Sequence, residues 1–271
     1  MIESRGQFVR PEVAEFLAGR DAFAVLPQLP GEDYRSVARR QTRRVQLAQR
    51  GYFLKHHQGV GWGEIIKNLT TLRWPVVSAR NEFEACNALA KAGLRAPVVA
   101  AFGERYLNPA NRESFVLTDE ITGHTTLEDL VAGAPLDSVQ QRRLVAAVAD
   151  FTRRFHALGM IHRDYYICHL WLENGTLDSD PALTVIDLHR ARRFSRIPQR
   201  WLIRDLAALL YSVMHLQLSP RSWLRFVRTY RQRPLAAVFE SEAALWRAVY
   251  HRAQKLYAKE HGVAHSMVWP W

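Results

Sequence analysis

Five polar residues in this 271-residue chain have the types and the order that phosphoryl transfer needs. Lys55 closes an apolar run in "GYFLKHH", where an ammonium can hold the α- and β-phosphates of a nucleotide. Glu82 follows in "SARNEFEACNALAKAGL" and is suited to hold that lysine. Asp164 stands in "IHRDYYICHLWL", placed to orient an attacking hydroxyl and accept its proton. Asp187 ends the apolar run in "LTVIDLHRA", 23 residues after Asp164, where a carboxylate can bind magnesium. His169 stands five residues after Asp164, where a second metal ligand is expected.

The elements that must position these residues are visible in the periodicity. Residues 35–57, "RSVARRQTRRVQLAQRGYFLKHH", alternate in part and end in an aromatic-rich run, as paired strands do. The stretch "GVGWGEIIKNLTTLRWPVV" reads as an irregular or partly helical insertion. Residues 78–94 read as a helix with Ser78 as cap and Gly93 as stop. Glu82 and Glu84 lie on it two apart, so they cannot share a face; Glu82 is preferred as the partner of Lys55. "APVVAAFGER" and "ESFVLTDEI" read as strands joined by the turn-like "NPAN". Residues 138–160 are the clearest helix, with Leu144, Val148, Phe151, Phe155 and Leu158 on one face. Ser138 and Gln141 have capping-box spacing there.

This order resembles that of protein kinases, in which a helix delivers H-R-D-L-x-x-x-N and a later strand ends in D-F-G. It implies an α+β, bilobal protein-kinase-like fold, with a β-rich N-lobe carrying one main helix and a mainly helical C-lobe. The expected division is residues 1–118, a hinge at 119–121 and residues 122–271. His162 and Arg163 join Asp164 in the catalytic loop. The backbone of Asp119, Glu120 and Ile121 is expected to hold adenine, with Thr118 at the back of the pocket. Asp205, opening the apolar run "RDLAALLYSV", is expected to bond the catalytic-loop backbone. Three features depart from protein kinases proper. No G-x-G-x-x-G precedes Lys55, so a glycine-poor hairpin around residues 35–44 is expected over the nucleotide. No A-P-E follows Asp187, and the segment after it is too short for a regulated activation loop. His169 replaces the Asn.

Composition sets the remaining bounds. Hydrophobic residues make up 48% and charged residues 23%, which suits a globular protein. No apolar run approaches the length of a bilayer span, and the N-terminus does not read as a secretory signal. Cys86 and Cys168, the two cysteines, lack ligand spacing, so free thiols in a cytoplasmic, reducing compartment are expected. The net charge of +11, from 37 Lys+Arg against 26 Asp+Glu, favours an anionic partner. Arg far outnumbers Lys, and eight Trp are present.

The segments "YFLKHH", "GVGWGEIIKNLTTLRWPVVSARNEFEA", "IHRDYYICHLWL", "VIDLHRA" and "RDLAALLYS" together resemble the lipopolysaccharide core heptose (I) kinases of Gram-negative bacteria. The block between Lys55 and Glu82 is the most discriminating part, and an H-R-D-x-Y-x-x-H pattern belongs to that family. The resemblance implies use of ATP and Mg2+ to phosphorylate O-4 of the first inner-core heptose. It implies Asp164 as base, Lys55 and Glu82 on ATP, and Asp187, with His169 beside it, at the metal. It further implies a lipid-anchored core oligosaccharide as substrate and a peripheral position at the anionic inner face of the inner membrane. Acyl carrier protein is an expected acidic partner and nucleic acid is not. "KNLTTLRW", "SWLRFVRTYRQR" and "SMVWPW" are expected to meet the membrane surface. The neighbouring alternatives are a kinase of the 3-deoxy-octulosonic acid residue and another small-molecule or protein kinase of the same fold.

Overall fold

The computed structural model describes residues 2–4, 7–37, 39–59, 61–70, 78–106, 108, 110–216 and 218–266. Two compact units emerge, and neither is a single stretch of chain. The first takes Met1–Lys91, Pro97–Thr122 and Leu188–Arg190; the second takes Ala92–Ala96, Gly123–Asp187 and Ala191–Trp271. The chain therefore crosses near the expected hinge. It also crosses on either side of Ala92–Ala96 and on either side of Leu188–Arg190.

The first unit is built on an antiparallel sheet. Its strands are β1 (Ile2–Ser4), β2 (Gln7–Val9), β3 (Gly31–Val37), β4 (Arg40–Leu47), β5 (Arg50–Gln58), β6 (Val99–Arg105) and β7 (Glu113–Asp119), ordered β1-β2-β6-β7-β5-β4-β3. Short helices α1 (Pro11–Leu17) and α2 (Ala22–Val25) cover it, and Val13, Leu17 and Leu26 pack with Val45, Leu54 and Leu117 in one core. The expected β3–β4 hairpin forms, with Val37 opposite Arg40 and Lys55 opposite Thr42. Gly31 lies so close to β4 that a Cβ there would sit 2.2 Å from the Arg44 carbonyl. The block after Lys55 gives helix α3 (Gly61–Thr70), and residues 71–77 lie outside the description. Helix α4 (Arg80–Lys91) follows, with the Ser78 hydroxyl accepting from the Arg80 N–H at 3.0 Å.

The second unit is mainly helical. Its elements are β8 (His124–Thr126), α5 (Leu127–Ala132), α6 (Ser138–Ala157), β9 (Met160–Ile161), β10 (Leu170–Glu173), β11 (Leu183–Val185), β12 (Arg192–Arg193), α7 (Gln199–Val213), α8 (Pro220–Arg231) and α9 (Leu235–His261). The capping box of α6 sits one residue earlier than the sequence spacing predicts. Asp137, not Ser138, accepts from the Val139 and Gln140 N–H groups, and the Gln140 side chain closes the box. A carboxylate is a stronger acceptor than a hydroxyl at a helix start, which lets Ser138 enter the first turn. α6 buries Leu144, Val148, Phe151 and Phe155, and its C-cap Leu158 is followed by Gly159 (φ +75°). A Cβ at Gly159 would lie 1.9 Å from the Phe194 carbonyl, so this close approach requires glycine. The turn then feeds β9, which pairs with β12 and leads into His162, Arg163 and Asp164.

Candidate active site

In the first unit the pleat of β5 sets the lysine. Tyr52, Leu54 and His56 are buried on one face, and Lys55 lies on the other. The Lys55 ammonium meets the Glu82 carboxylate at 2.8 Å. The Glu82 side chain is 3% exposed, on the α4 face that also buries Ala85, Cys86 and Leu89. Glu84 points outward, 62% exposed, and meets Arg80 at 3.7 Å. The helix face thus selects between the two glutamates, as its periodicity predicts. Two residues beyond Lys55, His57 is buried, and desolvation pushes its pKa down to about 3; the charges of Arg40, His189 and Lys55 act in the same direction.

At the end of β7, Thr118 is 6% exposed. The Asp119 side chain pairs with Arg10, whose Nη1 lies 2.9 Å from Oδ2. Glu120 accepts from Arg44 at 2.7 and 3.1 Å. The Asp119 N–H donates to the Val98 carbonyl and the Glu120 N–H to that of Gly51. Both side chains and both of these N–H groups are committed to protein partners, so a ligand here would meet the rest of the backbone. The sequence carries no local signal for these pairs, since Arg10 lies 109 positions from Asp119.

In the second unit a buried carboxylate holds the loop. Asp205 of α7 is fully buried and accepts from the backbone N–H of His162 at 2.6 Å and of Arg163 at 2.8 Å. Arg163 has φ +76°, an uncommon conformation for a residue other than glycine. The His162 ring is buried, and desolvation lowers its pKa. Its Nε2–H donates to the Ile186 carbonyl at 2.8 Å, because a carbonyl can only accept. The same argument gives His169 an Nδ1–H, donating to the Asp164 carbonyl at 2.7 Å. The His162 and His169 rings stack with centroids 5.3 Å apart and planes 18° from parallel. The Ile186 N–H returns to the His169 carbonyl at 2.9 Å. Asp187 also has positive φ, +57°, and its Oδ2 lies 3.8 Å from His169 Nε2.

Behind the loop stands a polar network that the sequence reading did not anticipate. Tyr165 is fully buried, its hydroxyl 3.0 Å from Thr152 Oγ1, which donates to the Val148 carbonyl. His156 on α6 bonds the Tyr230 hydroxyl of α8 at 2.8 Å, and its Nε2 lies 3.6 Å from Asp205. A histidine inside the apolar stripe of α6 was the available signal. Elements around this loop also line a partly open apolar cavity of about 220 Å³, walled by Leu144 and Val148 of α6, Ile167, Leu209 and Leu210 of α7, and Trp223 and Phe226 of α8.

No group of three or more His, Cys, Asp or Glu among the described residues is arranged to hold a metal alone. That fits magnesium, which is commonly held by one or two carboxylates together with substrate phosphates and waters. The Asp187 carboxylate is 27% exposed, as a ligand shared with phosphates and waters must be. Of the segments expected to meet a membrane, residues 71–74 of "KNLTTLRW" and residues 267–271 of "SMVWPW" lie outside the description.

A lysine held by a helix glutamate, and an H-R-D loop held by a buried aspartate, define an enzyme of the protein-kinase-like class. Comparison with known proteins narrows this. The chain belongs to the Lipopolysaccharide kinase (Kdo/WaaP) family, whose model matches residues 26–230. It is 41% identical over 247 residues to the lipopolysaccharide core heptose(I) kinase WaaP of Pseudomonas aeruginosa, covering 89% of this chain and 92% of that protein. It is 37% identical over 253 residues to that of Escherichia coli K12, covering 92% and 96%. The fold matches the solved structure of WaaP in complex with acyl carrier protein with a TM-score of 0.80 and 35% identity, covering 93% of this chain and 99% of that one.

Proposed function

We propose that this kinase transfers the γ-phosphate of ATP to a heptose hydroxyl, O-4 of heptose I, in the lipopolysaccharide inner core. The observation that carries the reading is the near full-length likeness to relatives named for that acceptor. Asp164 orients the hydroxyl and takes its proton as the oxygen bonds to phosphorus. The bond to the β–γ bridging oxygen breaks and ADP departs. His162 and Arg163 position that aspartate through their bonds to Asp205. Lys55, held by Glu82, takes the α- and β-phosphates, and the backbone of Asp119–Ile121 takes adenine. Magnesium would be held by Asp187, with His169 beside it, and would neutralise charge on the phosphates.

The acceptor is lipid-anchored, so the enzyme works peripherally at the cytoplasmic, anionic face of the inner membrane. Acyl carrier protein is a partner. The outer face of α8 supports this reading: Arg221, Arg225 and Arg228 make no ion pair among the described residues and suit an acidic surface. The inner face of the same helix lines the apolar cavity, which suits the carrier's acyl chain.

The test is incubation of purified protein with ATP, magnesium and dephosphorylated core oligosaccharide, with the product mapped by mass and NMR. Phosphate is expected on heptose O-4. In Asp164→Asn, turnover is expected to fall by about 10²–10⁴-fold with the fold intact. Full activity in that variant would exclude Asp164 as the base. Phosphate found on the 3-deoxy-octulosonic acid residue instead would move the chain to the other acceptor that the family description covers.

A further inference from the structure

Helix α3 carries an apolar face that the protein core does not use. Ile65 points inward at 6% exposure, whereas Trp62 is 56% and Ile66 55% exposed. Residues four apart stack on one helix face, so the two form a continuous apolar ridge. Single exposed apolar residues are ordinary, but this pairing is not. Among the described residues, the other large exposed apolar side chains are Tyr34, Val98, Tyr106, Val139 and Val263, and none shares a helix turn with another. Tyr34 and Tyr106 also have partners, Phe53 and the Arg105 guanidinium.

We propose that α3 is an interfacial membrane helix, with Trp62 and Ile66 inserted at the headgroup–acyl boundary of an anionic bilayer. The inference rests on the reading of a membrane-bound acceptor and names the element that reaches the membrane. At ten residues α3 spans roughly 15 Å along its axis, half of a hydrocarbon core, so it lies on a bilayer rather than through it. No described helix is long and apolar enough to cross one. Tryptophan favours the interface, where its ring is apolar and its N–H stays wet. Charge selects anionic lipid. The chain carries +11, and Arg39 stands at the start of the helix, its Nη1 3.2 Å from the Gly59 carbonyl and with no carboxylate partner among the described residues. Within the helix sequence Lys67 is balanced by Glu64, so Arg39 and the net charge of the chain supply the attraction.

The experiment is flotation of the full chain with vesicles of phosphatidylethanolamine and phosphatidylglycerol, and with vesicles of phosphatidylcholine alone. The wild type is expected to float with the anionic vesicles. The double variant Trp62→Ala/Ile66→Ala is expected to partition about tenfold more weakly. Its turnover on delipidated core oligosaccharide should match the wild type, since both side chains are more than half exposed. A second measurement compares folded wild type with the conservative variant Trp62→Phe: brominated lipid should quench tryptophan emission in the wild type, and Trp62→Phe should lose that component. Equal flotation of variant and wild type would overturn the proposal. So would loss of turnover on the delipidated acceptor, which would assign the ridge to sugar binding. Vesicle binding is read without catalysis, so failure to phosphorylate heptose would sink the acceptor assignment and leave the flotation result standing.

Discussion

Replacing Asp205 by Asn tests how the catalytic loop is held. The carboxylate is fully buried, and each oxygen accepts one backbone N–H, from His162 at 2.6 Å and Arg163 at 2.8 Å. Asparagine keeps the shape but offers one accepting oxygen; its amide nitrogen would face the other N–H, donor to donor. A hydrogen bond to a charged group contributes about 1.5–3 kcal/mol, and a buried donor left unpaired costs about 1–3 kcal/mol more. The sum is about 2.5–6 kcal/mol, against a total stability of roughly 5–15 kcal/mol for a typical native protein. The variant should therefore fold, with its melting temperature lowered by about 10 °C. The loop relaxes at His162–Arg163, directly before Asp164, and a displacement of about 1 Å costs on the order of 100-fold in rate. Lys55 and Glu82 belong to the other unit and are untouched. Differential scanning fluorimetry and initial rates with varied ATP are the assays. The expected result is a large fall in kcat with KM for ATP held within about twofold. Wild-type kcat and melting temperature in Asp205→Asn would refute the reasoning.

Glu82→Gln removes the charge that faces Lys55 while keeping its volume. Turnover should fall by about tenfold or more and KM for ATP should rise, as expected when a buried partner of an ion pair is lost; initial rates at varied ATP decide it. His57 gives a pH prediction. Its folded pKa of about 3 lies below the ordinary 6.5, so its stabilising contribution is complete above about pH 6.5 and is lost as pH falls toward 3, at about 1.4 kcal/mol per unit. His57→Leu should flatten the acid limb of a urea-midpoint against pH plot over that window. An unchanged limb would show that His57 does not set it.

The parts of the site that follow one element's period were legible in the sequence. The β5 alternation placed Lys55, and the α4 period chose Glu82 over Glu84, because burial on one face repeats every two or every 3.6 residues. The α6 cap was misplaced by one residue because Ser138 and Asp137 both have capping chemistry and spacing does not rank their strength. The partners of Asp119 and Glu120 were not legible. Arg10 and Arg44 reach them through the strand order β2-β6-β7-β5-β4, and no local pattern encodes a pairing of strands so far apart in the chain.

The histidine that departs from the kinase motif is accounted for by what it holds. Arg163 and Asp187, the residues at or next to the two acids, both sit at positive φ, a conformation that costs about 1–3 kcal/mol for a side chain that is not glycine. Such turns persist only where their surroundings over-determine them. Asp205 fixes the first through two N–H groups. The second is fixed through Ile186, whose carbonyl takes the His162 Nε2–H and whose N–H goes to the His169 carbonyl. His169 then closes the frame, donating from Nδ1 to the Asp164 carbonyl and stacking on His162. Asparagine has no ring face to stack, so it cannot link the Asp164 backbone to His162 in this way. Its Nε2 lies 3.8 Å from the Asp187 carboxylate, so the same ring also borders the second turn. The imidazole at 169 thus ties both strained turns together, a restraint that asparagine could not supply.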